Sequence, residues 1–202
     1  MTGAAKQFRI WLSLLILVST SACATRPFRS NRVGLLDKNF ESNIGDPSQT
    51  GVGASSDFQL PGEWVWPLKN VDVSSHYGHR GRKFHQGVDL RAHIGTPVLA
   101  AYDGTVVYVG SRIRGYGRMI VIKHDDQFYS VYAHHSKNLV KAGKVVKKGE
   151  KIALSGRSGR ASGPHLHFEI RRGVESYDPY LAITQNMNRY LANRKVASEG
   201  KQ

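Results

Sequence analysis

Apolar residues recur along this chain in three rhythms, each implying a different structure. The first is a run, Ile10 to Val18, interrupted only by Ser13, which follows Lys6 and Arg9 and gives way to Ser19, Thr20, Ser21 and Ala22 before Cys23. A membrane-spanning helix needs about 20 apolar residues. The shorter run, with its basic and small-residue flanks, reads as an export signal over residues 1–22. Residues 23–60 have no apolar period and are rich in Ser, Asn, Gly, Asp and Pro, the composition of a flexible tether.

The second rhythm begins at Pro61, where β-branched stretches alternate with glycines and turns. Three hairpins are predicted. Thr96 to Ala101 and Gly104 to Val109 flank Tyr102-Asp103-Gly104. Met119 to Lys123 and Gln127 to Ala133 flank His124-Asp125-Asp126. Val145-Val146 and Lys151 to Ser155 flank Lys147 to Glu150. Leu166 to Arg171 adds a strand. The third rhythm, a helical period, appears from about Pro179 to Lys195. The expectation is a mostly β domain over residues 61–183, followed by a short C-terminal helix and tail to residue 202.

Composition narrows the function without changing the fold. The 202 residues leave room for one domain plus extensions. The net charge of +14 favours an anionic surface or polymer, but the basic residues are scattered and no nucleic-acid-binding motif accompanies them. No nucleic acid partner is expected. Cys23 is the only cysteine, so no internal disulfide can form. Its position after the small-residue run matches a bacterial lipoprotein box, with Thr20 in place of the usual leucine. Ala22-Cys23-Ala24 also fits an ordinary signal-peptidase site. Lipidation at Cys23 is favoured because it gives a lone exported cysteine a role.

Candidate chemistry lies in three clusters: His85-Gln86-Gly87-Val88-Asp89, Tyr132-Ala133-His134, and Gly163-Pro164-His165-Leu166-His167-Phe168-Glu169. On a strand, His165 and His167 share a face while Leu166 and Phe168 turn to the other. His85 and Asp89 would lie about 13 Å apart on a fully extended strand. The chain must therefore bend, and Gly87 is where a bend or close approach costs least. Adding His167 gives two imidazoles and a carboxylate, a set that suits a catalytic Zn²⁺ with one open position. Such a site lowers the pKa of a bound water from about 15.7 to about 7. Amide hydrolysis also needs oxyanion stabilisation and a proton for the leaving amine, roles suited to His134 and His165. Glu169 reads as a supporting or structural group. Tyr132 is placed either against substrate or in the core.

The stretch from about Trp66 to Ile183 resembles the M23 metallopeptidases, the lysostaphin- or LytM-type cell-wall endopeptidases. The resemblance rests on Tyr77-Gly78-His79-Arg80, His85-x-Gly87-x-Asp89, Gly115-Tyr116-Gly117, Tyr132-Ala133-His134, Gly156-x-x-Gly159, and Ser162 through Glu169. It implies a two-sheet antiparallel β sandwich or barrel-like domain with the site in a groove. It implies His85, Asp89 and His167 as zinc ligands and His134 and His165 as catalytic histidines. The implied substrate is the peptide cross-link of peptidoglycan. With Cys23 lipidated, Ala24 rather than aspartate after it resembles outer-membrane sorting, which gives an outer-membrane lipoprotein facing the periplasm. Some members of this family only activate separate amidases, so a non-catalytic regulator with a protein partner is the alternative. A biotinyl- or lipoyl-type carrier, with Lys147 or Lys148 modified, is a further rival. Two departures stand out: His135 replaces the common leucine or methionine, and Arg118 replaces a frequent asparagine.

Overall fold

The computed structural model describes residues 58–124 and 127–199. The predicted signal segment, Cys23 and residues 24–57 of the predicted tether lie outside the described residues. The strands are β1 (Val73–Ser75), β2 (Gly78–Arg80), β3 (Lys83–His85), β4 (Val88–Arg91), β5 (Pro97–Leu99), β6 (Gly104–Gly110) and β7 (Met119–Lys123). They continue with β8 (Phe128–Ala133), β9 (Lys137–Asn138), β10 (Val145–Val146), β11 (Lys151–Leu154), β12 (His165–Arg172) and β13 (Glu175–Tyr177), followed by the helix α1 (Pro179–Glu199).

The main sheet runs β1-β4-β12-β8-β7-β6-β10, with β13 also paired to β12. A smaller sheet runs β5-β11-β9, and β2 and β3 form a hairpin of their own. The strand pairs are antiparallel. The fold is therefore mostly β, as the apolar pattern predicts, and antiparallel, as the family resemblance implies.

Strand β12 shows how that pattern works. Leu166, Phe168 and Ile170 are fully buried in the main core with Leu90, Tyr132, Ile120 and Ile122. Burying each large apolar side chain contributes roughly 1.5–3 kcal/mol. The alternate residues His165, His167, Glu169 and Arg171 fall on the opposite face. On the central strands that opposite face is covered too. Met119, Val121, Val131 and Ala133 are buried there beneath Ile113 and Tyr116. The loop 111–118 thus lies on the face that carries the polar residues of β12.

One of the three predicted hairpins forms: β7 pairs with β8. The other two do not. Strand β5 pairs with β11, whereas β6 pairs with β7 and β10. Val98, Ala100 and Ala101 are fully buried, so the chain crosses the core at this point rather than reversing at the surface. Gly104 answers to close packing, since a Cβ there would lie 2.4 Å from Lys123 O. An Asp-Gly pair marks a corner between sheets as readily as a turn, and alternation alone does not tell them apart.

The domain begins earlier than Pro61. Phe58 and Leu60, assigned by composition to the tether, are buried in the core. Phe58 stacks on Tyr177 with ring centroids 3.8 Å apart. Asn186 of α1 secures this segment, accepting from Trp64 N at 3.0 Å and donating to Gly62 O at 2.7 Å. Asp178 caps α1 by accepting from Tyr180 N at 2.8 Å, with Pro179 at the first helical position. The helix reaches Glu199, four residues beyond its predicted end.

Candidate metal centre

The register of the main sheet assembles the site. Strand β12 pairs His167 with Asp89 of β4 on one side and with Ala133 of β8 on the other. His134 follows Ala133 directly, and His165 lies two residues before His167 on the same face. Gly87 permits the bend between His85 and Asp89 because the backbone there presses against β12. A Cβ on Gly87 would meet Phe168 O at 2.3 Å.

Three ligand atoms converge. His85 Nε2 lies 3.1 Å from Asp89 Oδ1 and 3.1 Å from His167 Nδ1, and His167 Nδ1 lies 2.9 Å from Asp89 Oδ1. A tetrahedral Zn²⁺ with bonds of ~2.0–2.1 Å sets its ligand atoms about 3.3–3.4 Å apart. Two imidazoles and a carboxylate with these spacings fit that ion. The three residues also form the potential metal-binding group found among the described residues.

Each ligand is oriented from behind. His85 Nδ1 donates to His76 O at 2.7 Å, which leaves the Nε2 lone pair facing the site. Arg80 Nη2 donates to Asp89 Oδ2 at 2.8 Å, leaving Oδ1 to the triangle. Arg80 Nη2 also lies 2.5 Å from His85 Nδ1; these two N–H groups point instead to Asp89 Oδ2 and His76 O, which can accept them. His167 Nε2 donates to Glu169 Oε1 at 2.8 Å. Glu169 is fully buried, and Arg171 Nε at 2.6 Å and Tyr116 OH at 2.7 Å complete its hydrogen bonds. Gln86 Oε1 accepts from Arg171 Nη2 at 2.6 Å.

Electrostatics follow from these contacts. Burial alone would raise the Asp89 pKa, but its close contacts with His167 and His85 hold the carboxyl well below the usual carboxylate range. Burial alone would lower that of His167, yet Asp89 and Glu169 outweigh it and push it up to about 9. A divalent cation at Nδ1 therefore competes with a proton.

His134 and His165 stand beside the triangle. Their rings are 4.6 Å apart, and His165 Nε2 is 3.6 Å from Asp89 Oδ1. His165 Nδ1 donates to Gly163 O at 2.9 Å and His134 Nδ1 donates to Ser158 O at 2.7 Å, so each keeps an Nε2 lone pair. Burial, with the nearby His167 charge, lowers the His134 pKa to about 4. His134 also has φ 64°, positive for a non-glycine residue. Holding it there costs about 1–2 kcal/mol. The bond from His134 N to Tyr116 O, 3.0 Å, helps to fix it. All five residues line one open groove of about 270 Å³, together with Arg80, Phe84 and Arg160.

The sequence model of peptidase family M23 matches residues 83–179. The catalytic domain of the antimicrobial peptidase lysostaphin from Staphylococcus simulans is 33% identical with a TM-score of 0.55, the match covering 58% of this chain and 95% of that one. The chain belongs to peptidase family M23. Among curated relatives of this M23 domain, the lipoprotein NlpD/LppB homolog of Pseudomonas aeruginosa is 42% identical over 118 residues, 58% of this chain and 39% of that protein. The murein hydrolase activator NlpD of Escherichia coli is 38% identical over 122 residues, 60% of this chain and 31% of that protein. The chain thus spans well under half the length of either relative.

Other parts of the M23 domain resolve the remaining expectations. Tyr132 belongs to the core: it is fully buried, and its hydroxyl accepts from Ala101 N at 2.8 Å. His124, placed at a predicted turn, bridges Asp103 O at 2.8 Å and Ser130 Oγ at 2.7 Å. Ser158, Tyr116 and Arg171 lie outside the three histidine clusters. For Arg171 a signal existed: residues 165, 167, 169 and 171 are polar while 166, 168 and 170 are apolar. That period of two places His167, Glu169 and Arg171 in one row.

Proposed function

We propose that this chain is a zinc-dependent endopeptidase that hydrolyses peptide cross-links of bacterial peptidoglycan. The observation that carries this reading is the 2.9–3.1 Å triangle of His85, Asp89 and His167 with His134 and His165 alongside, a full donor set in an M23 domain. The likeness to lysostaphin and the murein-related name of the E. coli relative support wall peptides as the substrate.

His85, Asp89 and His167 would hold Zn²⁺, which when bound polarises the scissile carbonyl and activates water. His134 and His165 work through Nε2, because each Nδ1 is committed to a carbonyl. His134 is neutral at pH 7 and accepts a hydrogen bond from the attacking water. The proton that the pair takes from the water at Nε2 gives it an N–H to stabilise the developing oxyanion, and His165 Nε2 then carries that proton to the leaving amine. Glu169 and Arg80 hold the ligands at the angles this requires.

A second reading, favoured by the name of the E. coli relative, is a regulator that binds peptidoglycan and activates amidases. All five site residues are present here, as the endopeptidase reading requires. Digestion of purified wall by the zinc-loaded protein, with mass analysis and a chelator control, separates the two. Chelator-sensitive cleavage within stem peptides supports the endopeptidase. Release only when an amidase is added supports the regulator.

Export and lipidation at Cys23, placing the domain in the periplasm on an outer-membrane anchor, belong to the same proposal. The Lys6-to-Cys23 pattern and the lipoprotein name of the P. aeruginosa relative support it. Cys23→Ser should move the protein from the membrane fraction to the soluble fraction, and unchanged fractionation defeats this part.

A further inference from the structure

One wall of the groove is built from two loops in backbone contact, 111–118 and 155–164. A Cβ on Gly159 would lie 2.4 Å from Gly117 N and 2.5 Å from Gly115 O, and one on Gly117 would lie 2.4 Å from the carbonyl carbon of Ser158. Arg160 follows Gly159, and its own N–H donates to Gly115 O at 2.8 Å. The root of this arginine is therefore fixed on the wall. Its side chain is exposed and lines the same groove as His134, His165 and His167.

Charge in the groove is otherwise committed. Asp89 is held by Arg80 at 2.8 Å and by the two ligand histidines, and Glu169 is held by Arg171 at 2.6 Å and by His167. Arg80 is used by Asp89. Among the described residues, the guanidinium of Arg160 has neither a hydrogen bond nor an ion pair. Guanidinium matches carboxylate geometry with two parallel N–H groups.

We propose that Arg160 is a specificity residue that seats a free carboxylate of the peptide substrate beside the scissile bond. The groove then prefers acidic cross-link peptides to neutral ones. This rests on reading the groove as a peptide-cleaving site.

The test uses two synthetic cross-linked peptides that are identical except for a free carboxylate or a carboxamide next to the scissile bond. Cleavage (kcat/KM) is measured with the zinc-loaded full chain, and affinity is measured by calorimetry with uncleavable versions of both. The carboxylate peptide should be favoured about tenfold, and added salt should shrink the preference. Arg160→Gln should bring the ratio to about one while keeping the zinc content and melting temperature of the parent. Arg157→Gln alters the same loop at a side chain outside the groove lining, and should keep the preference. Equal handling of the two peptides by the parent, or a preference that survives Arg160→Gln, overturns the proposal. If neither peptide is cut, the endopeptidase reading fails. The calorimetric ratio and its response to Arg160→Gln then still decide the role of Arg160.

Discussion

His167 and Glu169 lie two residues apart on one face of β12, joined by a 2.8 Å hydrogen bond from imidazole Nε2 to carboxylate Oε1. Burial opposes a charge on Glu169, but Arg171 and His167 overcome it and hold its pKa at about 2. This ionised acceptor behind His167 fixes which ring nitrogen faces the site and raises its basicity. The candidate metal centre thus extends into the buried residues Glu169, Arg171 and Gln86 and the partly buried Tyr116.

Glu169→Ala should therefore weaken zinc binding by about 10–100-fold, although Glu169 is not itself a ligand. It should also destabilise the fold, by an amount approaching the about 3–5 kcal/mol typical of breaking a buried pair, because Arg171 loses its main partner. Glu169→Gln separates the effects. The amide oxygen can still accept from His167, while the amide N–H groups face the Arg171 donor. Zinc affinity should suffer less than in the alanine variant while the melting temperature still falls. A chelator-competition titration with thermal melts checks both; unchanged zinc affinity in Glu169→Ala would refute the coupling.

The five residues around the groove should divide into two groups. His85→Ala, Asp89→Ala and His167→Ala each remove a corner of the triangle, and each should strip zinc and end cleavage. His134→Ala and His165→Ala leave the triangle whole. They should retain the metal and slow turnover by about 10²-fold or more. Metal analysis and turnover assays on all five give the answer. Metal lost from either of the last two and retained by one of the first three would reverse the assignment.

The sequence carried these five positions more clearly than the topology that joins them. Period-two alternation is a local property, so β7, β8 and β12 could be read from their own residues. The partner of β5 could not. Val98, Ala100 and Ala101 are buried by strands far along the chain, and the Asp103-Gly104 corner looks like a turn until Gly104 is seen pressed against Lys123. Phe58 and Leu60 were hidden for a similar reason. Two apolar residues in a polar stretch set no period, and what holds them, Tyr177 and Asn186, lies more than a hundred residues away. Ser158 acts on His134 through its backbone carbonyl, which no side-chain pattern records.

Gly159→Ala tests whether the wall positions His134. The backbone at Gly159 has φ 75°, and the new Cβ would press on Gly117 N and Gly115 O, which cannot rotate away. Separating the loops should cost about 1–3 kcal/mol. It should also move Ser158 O, the acceptor for His134 Nδ1. The proposed zinc ligands lie on β3, β4 and β12, outside this contact. The expected result is a lower melting temperature and slower turnover with zinc content unchanged. Full activity in a correctly folded variant would show that the wall does not set His134.

His135 gives a prediction about acid stability. It is fully buried; Nδ1 donates to Asn138 Oδ1 at 2.7 Å, and among the described residues the buried Nε2 has no hydrogen-bond partner. Burial lowers its pKa from 6.5 to about 4, against a smaller opposing effect from Asn138. Above pH 6.5 both the folded and unfolded forms are neutral, and this group adds no pH dependence. Between pH 6.5 and 4 the unfolded chain takes up the proton while the folded chain does not, so stability falls as pH falls. From pH 7 to pH 5 the loss from this one group is roughly 2 kcal/mol. His135→Leu removes the titrating ring and the unpartnered Nε2, at the cost of the hydrogen bond to Asn138. Denaturant unfolding at pH 7 and pH 5 should show a smaller loss in the variant than in the parent. Equal losses would mean that His135 is protonated as readily in the folded protein as in the unfolded chain, and that its burial does not control its charge.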